Sequence, residues 1–515
     1  MLRDSLGYLF LCPFFPLLGV KGERKMQELV LSMENISLEL GNKHLFEFER
    51  LTVYQQDRIG IIGKNGEGKS SLLKLITEEL STERGIVQKE IDFSYHAQLP
   101  EDFLNEPTYA DEALLSRLNV PLRMISQMSG GEQAKYRLAT LLSNYPEGLI
   151  LDEPTTHLDH RSKNFLIDEL RYYYGTLLFV SHDRHFLNEL ATKIWDISDG
   201  RIIEFQGNYE EYQKYQEQQT LENNREYSNF QQQKKKLEVS IKKQKEQAQQ
   251  AGKISHSHSK KNIKPSRLSA SKSKDTVQKN LYKQVKHLEN RLNKLEPKEA
   301  IQIDKEIIFP SHHFEELYNP YPVMADNLTI EFEQKIILDH CDFQFKKGKK
   351  IAIVGENGSG KTTLLNSINQ EQAGIKISTK AKLSTYGQFD YQMASSQNVL
   401  AYLLSQTDYS ESVARSVLSR LGFTQEELSK PISKLSGGEK TRLALALTLT
   451  KPSNILILDE PTNFIDLKTI EGLEQLIKSY QGTVIFTSHD SYFVQHVADT
   501  IYELKDGKLC IIDLV

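Results

Sequence analysis

Cysteine is scarce: Cys12, Cys341 and Cys510 are the three in a chain of 515 residues, odd in number and without metal-ligand spacing. That excludes a disulfide framework, offers no zinc site and points to a reducing compartment. Proline is missing from Tyr209 to Lys264, so nothing there breaks a long helix. Long apolar runs are missing as well, with one short exception. Leu6 to Val20 (LGYLFLCPFFPLLGV) is too short to span a bilayer and is interrupted by Pro13 and Pro16. Arg3 precedes it, as in a signal peptide, but no small-x-small cleavage site stands before Lys21. The expectation is an upstream extension over residues 1–25, with Met26 as the working start of a cytoplasmic protein, because the strand-like QELVLSMENISLEL follows directly.

Negative charge is short in one segment. Between Gln232 and Ala300 nineteen Lys and Arg face six Asp and Glu, although the whole chain carries a net −5. A basic segment on an acidic body reads as a grip on a polyanion. Within it Leu281, Val285, Leu288, Leu292 and Leu295 step by 4, 3, 4 and 3, the seam of a coiled coil. Tyr212, Tyr215, Tyr227, Phe230, Leu237 and Ile241 give a looser stripe on the preceding arm. Gly252 to Lys274 (GKISHSHSKKNIKPSRLSASKSK) is Ser/Lys-rich and turn-like. The economical reading is a helical hairpin whose basic far end, with Lys253, Lys260, Lys261, Lys264 and Arg267, contacts nucleic-acid phosphates. The plainer alternative is a passive spacer with a solvated charged face.

What the chain does contain is an internal repeat. GIIGKNGEGKSS at Gly60–Ser71 recurs as AIVGENGSGKTT at Ala352–Thr363, and MSGGEQAKYRLA at Met128–Ala139 as LSGGEKTRLALA at Leu435–Ala446. LILDEPTTHLD at Leu149–Asp159 recurs as LILDEPTNFID at Leu456–Asp466, and VSHDRHF at Val180–Phe186 as TSHDSYF at Thr487–Phe493. The same blocks in the same order make a duplicated domain with a segment between the copies. Each first block follows a β-branched run and precedes a Leu-rich helical pattern, the strand–loop–helix setting a P-loop needs. The LILDE, LLFVS and VIFTS runs read as strands buried on both faces of a mainly parallel sheet, so each copy is an α/β layer structure. The stretch from Lys69 to Asp152 is about fifteen residues shorter than that from Lys361 to Asp459, and the loss precedes the SGGE block. This implies a trimmed helical subdomain in the first copy, without room for an inserted arm.

The P-loop chemistry follows from residue types. In Gly63, Lys64, Asn65, Gly66, Glu67, Gly68, Lys69, Ser70 and Ser71 the glycines let the backbone wrap phosphates at a helix start. Lys69 reaches the β- and γ-phosphates of ATP and the Ser70 hydroxyl ligates Mg²⁺. Gly355, Glu356, Asn357, Gly358, Ser359, Gly360, Lys361, Thr362 and Thr363 repeat the arrangement, with Lys361 and Thr362 in those roles. Asp152 and Asp459 end apolar strands and are expected to hold the metal through water. Glu153 and Glu460 follow directly, placed to polarise the attacking water as general bases. A helix cap or a surface charge is the competing reading of any acidic pair, and the surrounding blocks outweigh it.

The Ser-Gly-Gly-Glu blocks resemble the signature of ATP-binding-cassette proteins, and the resemblance covers nearly all of both copies. In that family the signature of one domain caps the γ-phosphate held by the P-loop of the other. The resemblance therefore implies composite sites, Gly63–Ser70 facing Ser436, Gly437, Gly438 and Glu439, and Gly355–Thr362 facing Ser129, Gly130, Gly131 and Glu132. It also makes His182 and His489 switch histidines at the γ-phosphate, Gln98 and Gln388 the Q-loop glutamines, and Asp159 and Asp466 D-loop residues. For the adenine, Phe332 in the second copy and Leu38 or Leu40 in the first stay open, since each also suits the core. The usual Asn of the DEPTxxLD block is Thr156 in the first copy, and His157 becomes Phe464 in the second, which leaves open whether the two sites hydrolyse equally; with Glu153 and Glu460 both present, both are expected to be competent.

Tandem cassettes around a basic helical linker resemble the ABC-F proteins, and the missing arm, YYYGTLLFVSHDR and RLSASK resemble their antibiotic-resistance branch, the macrolide–streptogramin and Vga-type proteins. The fold expected is thus two tandem ABC-type P-loop ATPase domains, 26–208 and 321–515, joined by a basic helical hairpin over 209–300 and a connector over 301–320. The resemblance implies an ATP hydrolase that binds the bacterial 70S ribosome, its linker reaching 23S rRNA and P-site tRNA, and ejects bound antibiotics. It implies a monomer with intramolecular cassette pairing and no membrane partner. A housekeeping ABC-F translation factor, the ATPase subunit of an efflux pump and a DNA-repair ATPase are the competing readings.

Overall fold

The computed structural model describes residues 28–96 apart from 42 and 83, then 111–118, 120, 128, and 130–253 apart from 157 and 159. It further describes 271–295, 309, 317–387 apart from 333, 334 and 357, then 393 and 395–512. The first copy carries β1 (Leu29–Leu40), β2 (Lys43–Tyr54), β3 (Arg58–Gly63), α1 (Lys69–Ile76), β4 (Arg84–Lys89) and β5 (Phe93–His96). It continues with α2 (Glu112–Arg117), α3 (Gly130–Ser143), β6 (Gly148–Asp152), α4 (His160–Tyr172), β7 (Thr176–Val180), α5 (Arg184–Leu190), β8 (Lys193–Ser198) and β9 (Arg201–Gln206). Its nine strands form one sheet in the order β4-β1-β2-β9-β8-β3-β7-β6-β5. The run from β8 to β5 is parallel, and a single pair, Glu47 with Arg201, joins the antiparallel β1–β2–β4 flap to it.

The apolar strands sort their side chains by the two-residue period. On β6 Leu149 and Leu151 enter one core with Leu166, Phe179 and Phe186, while Ile150 enters the opposite core with Leu31, Leu178 and Trp195. Burial on both faces explains the unbroken LILD and TLLFV runs, every residue of which is buried. Arg58 anchors the start of β3 by donating to the carbonyls of Leu170, Arg171 and Tyr173 at the end of α4.

The segment between the copies is helical. α6 (Tyr209–Lys253) runs for 45 residues, roughly 68 Å of unbroken helix at the standard rise. α7 (Ser271–Asn293) returns against it, with Ile241, Ala248 and Val285 buried and Lys245 Nζ 2.7 Å from Glu289 Oε1. Leu281, Leu288, Leu292 and Leu295 are half-buried along the same seam. Tyr215 departs from the stripe expected on α6: it is 42% exposed and packs on Phe205, 5.3 Å between centroids, at the first copy's edge. Lys260, Lys261, Lys264 and Arg267 lie outside the described residues, and of Lys253 only the backbone, at the end of α6, is described.

The second copy repeats the plan with β10 (Val323–Phe332), β11 (Lys335–Phe345), β12 (Lys350–Val354), α8 (Lys361–Asn369), β13 (Ile375–Ile377) and β14 (Leu383–Tyr386). There follow α9 (Val399–Gln406), α10 (Glu411–Arg420), α11 (Gly437–Thr450), β15 (Ile455–Asp459), α12 (Leu467–Ser479), β16 (Thr483–Thr487), α13 (Ser491–Val497), β17 (Thr500–Lys505) and β18 (Lys508–Ile512). Six strands run β14-β15-β16-β12-β17-β18, parallel as far as β17, beside a three-stranded flap β11-β10-β13. Between β14 and β15 this copy has α9 and α10 before α11, whereas the described part of the first copy has α2 alone before α3. No helix among the described residues is long and apolar enough to cross a membrane.

Candidate functional site

Parallel register places the chemistry. β3 lies between β7 and β8, so the loop after Gly63 leaves the carboxyl edge of the sheet, where α/β sheets bind ligands. Asp152 is level with Val180, and His182, two residues on, comes beside Glu153. In the second copy Asp459 is level with Thr487 and His489 comes beside Glu460.

Both loops have left-handed backbone that suits glycine. Gly63, Gly66 and Gly68 have φ of 149°, 82° and 101°, and Gly355, Gly358 and Gly360 have 157°, 74° and 103°. Lys69, first residue of α1, folds its Nζ into the loop and donates to the carbonyls of Gly63 at 2.8 Å and Lys64 at 3.1 Å. Lys361 Nζ does the same with Gly355 at 2.9 Å and Glu356 at 3.1 Å. Burial lowers the Lys69 pKa against the pull of Glu153 and, from the other copy, Asp466. The Glu67 carboxylate braces the first loop from behind, accepting from the Lys64 N–H at 2.8 Å.

The acidic residues are buried and incompletely satisfied. Asp152 accepts from the hydroxyls of Ser70 and Tyr95, and burial raises its pKa. Asp459 Oδ1 accepts from Thr487 Oγ1 at 2.7 Å. Burial pushes Glu153 up to about 8 and Glu460 up to about 7, against Lys69 and Lys361 respectively. Both sit at left-handed φ, 54° and 48°, a strained conformation for a non-glycine residue. His182 Nε2 is 3.3 Å from Glu153 Oε1 and His489 Nε2 is 3.2 Å from Glu460 Oε1. Neither Oε1 has a hydrogen-bond partner, nor has His182 Nδ1. Burial and Lys69 drive the His182 pKa down to about 3, so its ring is neutral. A carboxyl poised near neutrality beside a neutral imidazole, with one oxygen free, can take a proton from a water molecule.

The two copies meet at this point. The Asn65 N–H donates to Asp466 Oδ2 at 3.3 Å, and its Nδ2 to the Phe464 carbonyl at 3.5 Å. Ser436 caps α11 in a reciprocal box with Glu439, which also accepts from Lys430 Nζ at 3.2 Å. Burial opposes the Glu439 charge, but the Ser436 N–H and hydroxyl outweigh it and hold its carboxyl well below the usual range. Ser436, Gly438 and Glu439 line one cavity of about 1120 Å³ with Asn65, Gly66, Gly68, Lys69, Ser70, Ser71, Asp152, Glu153 and His182. Glu460 and His489 border the same cavity from the second copy. A loop of left-handed glycines and a lysine facing a helix N-terminus suits a triphosphate, and a hydroxyl hydrogen-bonded to a carboxylate suits its Mg²⁺.

Other expected residues stand elsewhere. Gly63, Lys64 and Glu67 form the back of the first loop rather than the cavity wall, and Gly437 is likewise off it. Gly355, Glu356 and Gly358 to Thr363 belong to the second loop and the start of α8 and are not among the residues lining this cavity. Gly130, Gly131 and Glu132 open α3, while Ser129, Gln98, Gln388, Asn357, His157 and Asp159 lie outside the described residues. Of the adenine candidates, Leu40 borders the cavity and Leu38 is in the core at 2% exposure; the Phe332 side chain is not described. Sequence reasoning missed Lys43, whose Nζ donates to the Gly66 carbonyl at 2.8 Å, and Lys163, Lys430 and Arg442 on the cavity wall. No block contains Lys43 or Lys430, whereas Arg442 lies within the second SGGE block, where the first copy has Lys135. Lys163, four residues past Asp159, stands where the second copy has Ile470, a mismatch that alignment of the repeats displays.

Comparison with known proteins agrees with this geometry. The profile of the family described as "ABC transporter" matches residues 49–156 and 338–463. The chain is 42% identical over 93% of its length to the erythromycin resistance ATP-binding protein MsrA of Staphylococcus epidermidis, covering 98% of that protein. It is 36% identical over 92% of its length to the ribosome protection protein VmlR of Bacillus subtilis (strain 168), covering 86% of it. Among solved structures an RNase-L inhibitor superposes with a TM-score of 0.62 at 18% identity, over 93% of this chain and 91% of that one, a likeness of fold.

Proposed function

We propose that this chain, which belongs to the ABC-F family of ATP-binding-cassette proteins, binds the bacterial ribosome and uses ATP to displace ribosome-targeting antibiotics. Its two cassettes hydrolyse ATP. The observation that carries the reading is the root of α6, which is bonded to both cassettes at the nucleotide interface. The Tyr212 hydroxyl donates to Asp196 Oδ2 in the first at 2.6 Å. The Tyr209 hydroxyl and Gln213 Nε2 donate to Glu471 Oε1 in the second at 3.2 and 2.9 Å. Glu471 lies on α12, which begins directly after Asp466, the residue that meets the first P-loop. Closure on ATP thereby sets the direction of a basic helical arm, a geometry suited to pushing on RNA and without use in a pump subunit.

In this reading Lys69 and Lys361 bind the phosphates, and Glu153 and Glu460, oriented by His182 and His489, take the proton of the attacking water. Ser70 with Asp152, and Thr362 with Asp459, would hold Mg²⁺, which would supply charge neutralisation on the phosphates. Lys253, Lys260, Lys261, Lys264 and Arg267 meet the phosphates of 23S rRNA and P-site tRNA. The protein works as a monomer in the cytoplasm, where its target is. Hydrolysis reopens the cassettes and releases the ribosome.

The test is cell-free. A purified bacterial translation system is stalled in turn with a macrolide, a lincosamide, a streptogramin A and a pleuromutilin, and the protein is added with ATP. Translation recovers with at least one drug, and Glu153→Gln with Glu460→Gln abolishes recovery while keeping the protein on ribosomes through sedimentation. Failure with all four drugs despite ATPase activity would favour a housekeeping translation factor, and a double variant that sediments free would refute the closing step.

A further inference from the structure

Lys163 sits on α4 of the first cassette, and its ammonium bridges to the second. Its Nζ lies 2.7 Å from Asp183 Oδ2 and 3.5 Å from the main-chain carbonyl of His489. The Lys163 side chain is only 14% exposed. Burial works against its charge, but Asp183, Asp490 and Glu460 outweigh burial and keep it protonated. His489 is thus gripped on both flanks: its N–H donates to Glu460 Oε2 at 3.1 Å, and its carbonyl accepts from Lys163. Fixing the peptides before and after a residue fixes its φ and ψ, and with them the direction of the imidazole toward Glu460.

The repeat shows that this grip works one way only. The position equivalent to Lys163, four residues past Asp466, is Ile470, which has no donor and is buried at 2% exposure. The neighbouring buried ion pair shares the asymmetry. Arg184 of the first cassette holds Glu474 of the second at 2.5 Å, whereas the equivalent positions carry Ser491 and Ile167. The first cassette therefore braces the switch loop of the second, and these positions provide no reciprocal brace.

We propose that Lys163 is a positioning residue acting in trans for the second nucleotide, holding His489 so that His489 and Glu460 stay aligned on the attacking water. The proposal rests on the reading of Glu153 and Glu460 as the two hydrolytic bases, and the test separates the two ideas. Steady-state ATPase of the full chain is measured in two backgrounds. In Glu153→Gln, where turnover comes from the Glu460 side, adding Lys163→Met lowers kcat about tenfold with KM little changed, as loss of an aligned base should. Lys163→Arg restores most of that turnover. In Glu460→Gln, where turnover comes from the Glu153 side, Lys163→Met lowers kcat by a clearly smaller factor, because there it removes only the partner of Asp183, which follows His182, and touches no contact of His182 or Glu153. The retained turnover there also shows that the variant folds and closes; Lys163→Gln replaces the methionine variant if that one is insoluble.

Equal losses in both backgrounds mean a general interface role and overturn the proposal. A loss confined to the Glu460→Gln background means that Lys163 serves the first site, and overturns it too. Absence of turnover in Glu153→Gln alone, with Lys163 intact, refutes the two-base reading and the proposal with it.

Discussion

Gly358 and Gly360 form a matched pair for testing the second P-loop. Both have left-handed φ, 74° and 103°. A Cβ on Gly360 would lie 2.0 Å from Ile337 Cγ2, whereas a Cβ on Gly358 meets nothing within 4 Å. Gly360→Ala should therefore cost about 3 kcal/mol of stability and nucleotide binding at that loop, and Gly358→Ala about 1 kcal/mol. Thermal melts and titration with a fluorescent ATP analogue measure both; equal shifts would mean that backbone conformation alone matters. A second residue-level asymmetry lies under the bases. Thr487 accepts from the Glu460 N–H at 3.0 Å and donates to Asp459, whereas in the first copy the Val180 carbonyl takes the Glu153 N–H at 3.0 Å. To the sequence differences between the sites at Thr156, His157 and Phe464 the structure adds Lys163 and Val180.

The linker helix and α12 are coupled through few atoms, which makes the coupling separable from catalysis. Glu471 is 40% exposed and touches no phosphate-binding residue, so its loss should leave the cassettes intact. Tyr209→Phe combined with Glu471→Ala is expected to keep ATPase within about twofold while cutting antibiotic rescue about tenfold, the size of a modest coupling energy. Parallel loss of both activities would show that these contacts hold the interface rather than transmit its closure. α6 itself should tolerate surface changes well, because its long exposed face makes i,i+4 contacts such as Lys214 with Glu210 that add little each.

The molecule as a whole is an acidic body with a basic arm, and this makes salt an analytical tool. Removing one phosphate-binding cation should reduce the slope of log affinity against log salt by about 0.7 to 0.9. Lys260→Gln, Lys261→Gln and Lys264→Gln together should flatten ribosome binding by about two in that slope while leaving ATPase untouched. An unchanged slope would return the arm to the role of a passive spacer. The two cassettes also close on one another through buried charge, Arg184 with Glu474, so removing one partner leaves an uncompensated ion at the interface.

Much of this could be read from the chain because the P-loops, DE pairs and SHD segments are local: each needs a strand, a tight turn and a helix in immediate succession. The sheets followed from the same cause, since runs such as LILD and TLLFV can only be buried on both faces. Seam positions like Val285 followed from the helical period. Pairings formed across hundreds of residues left no such trace. Nothing adjacent to Glu471 says that Tyr209 and Gln213 will reach it, and nothing around Lys163 says that its ammonium will find the His489 carbonyl. Those pairings depend on the angle at which two separately folded cassettes meet, which is set by packing and by paired buried charge rather than by any local pattern. Smaller local outcomes also waited on the folded backbone: the Glu67 carboxylate turns back on the Lys64 N–H of its own loop, and a register shift in β1 between Leu38 and Glu39 leaves Leu38 in the core while Leu40 borders the cavity.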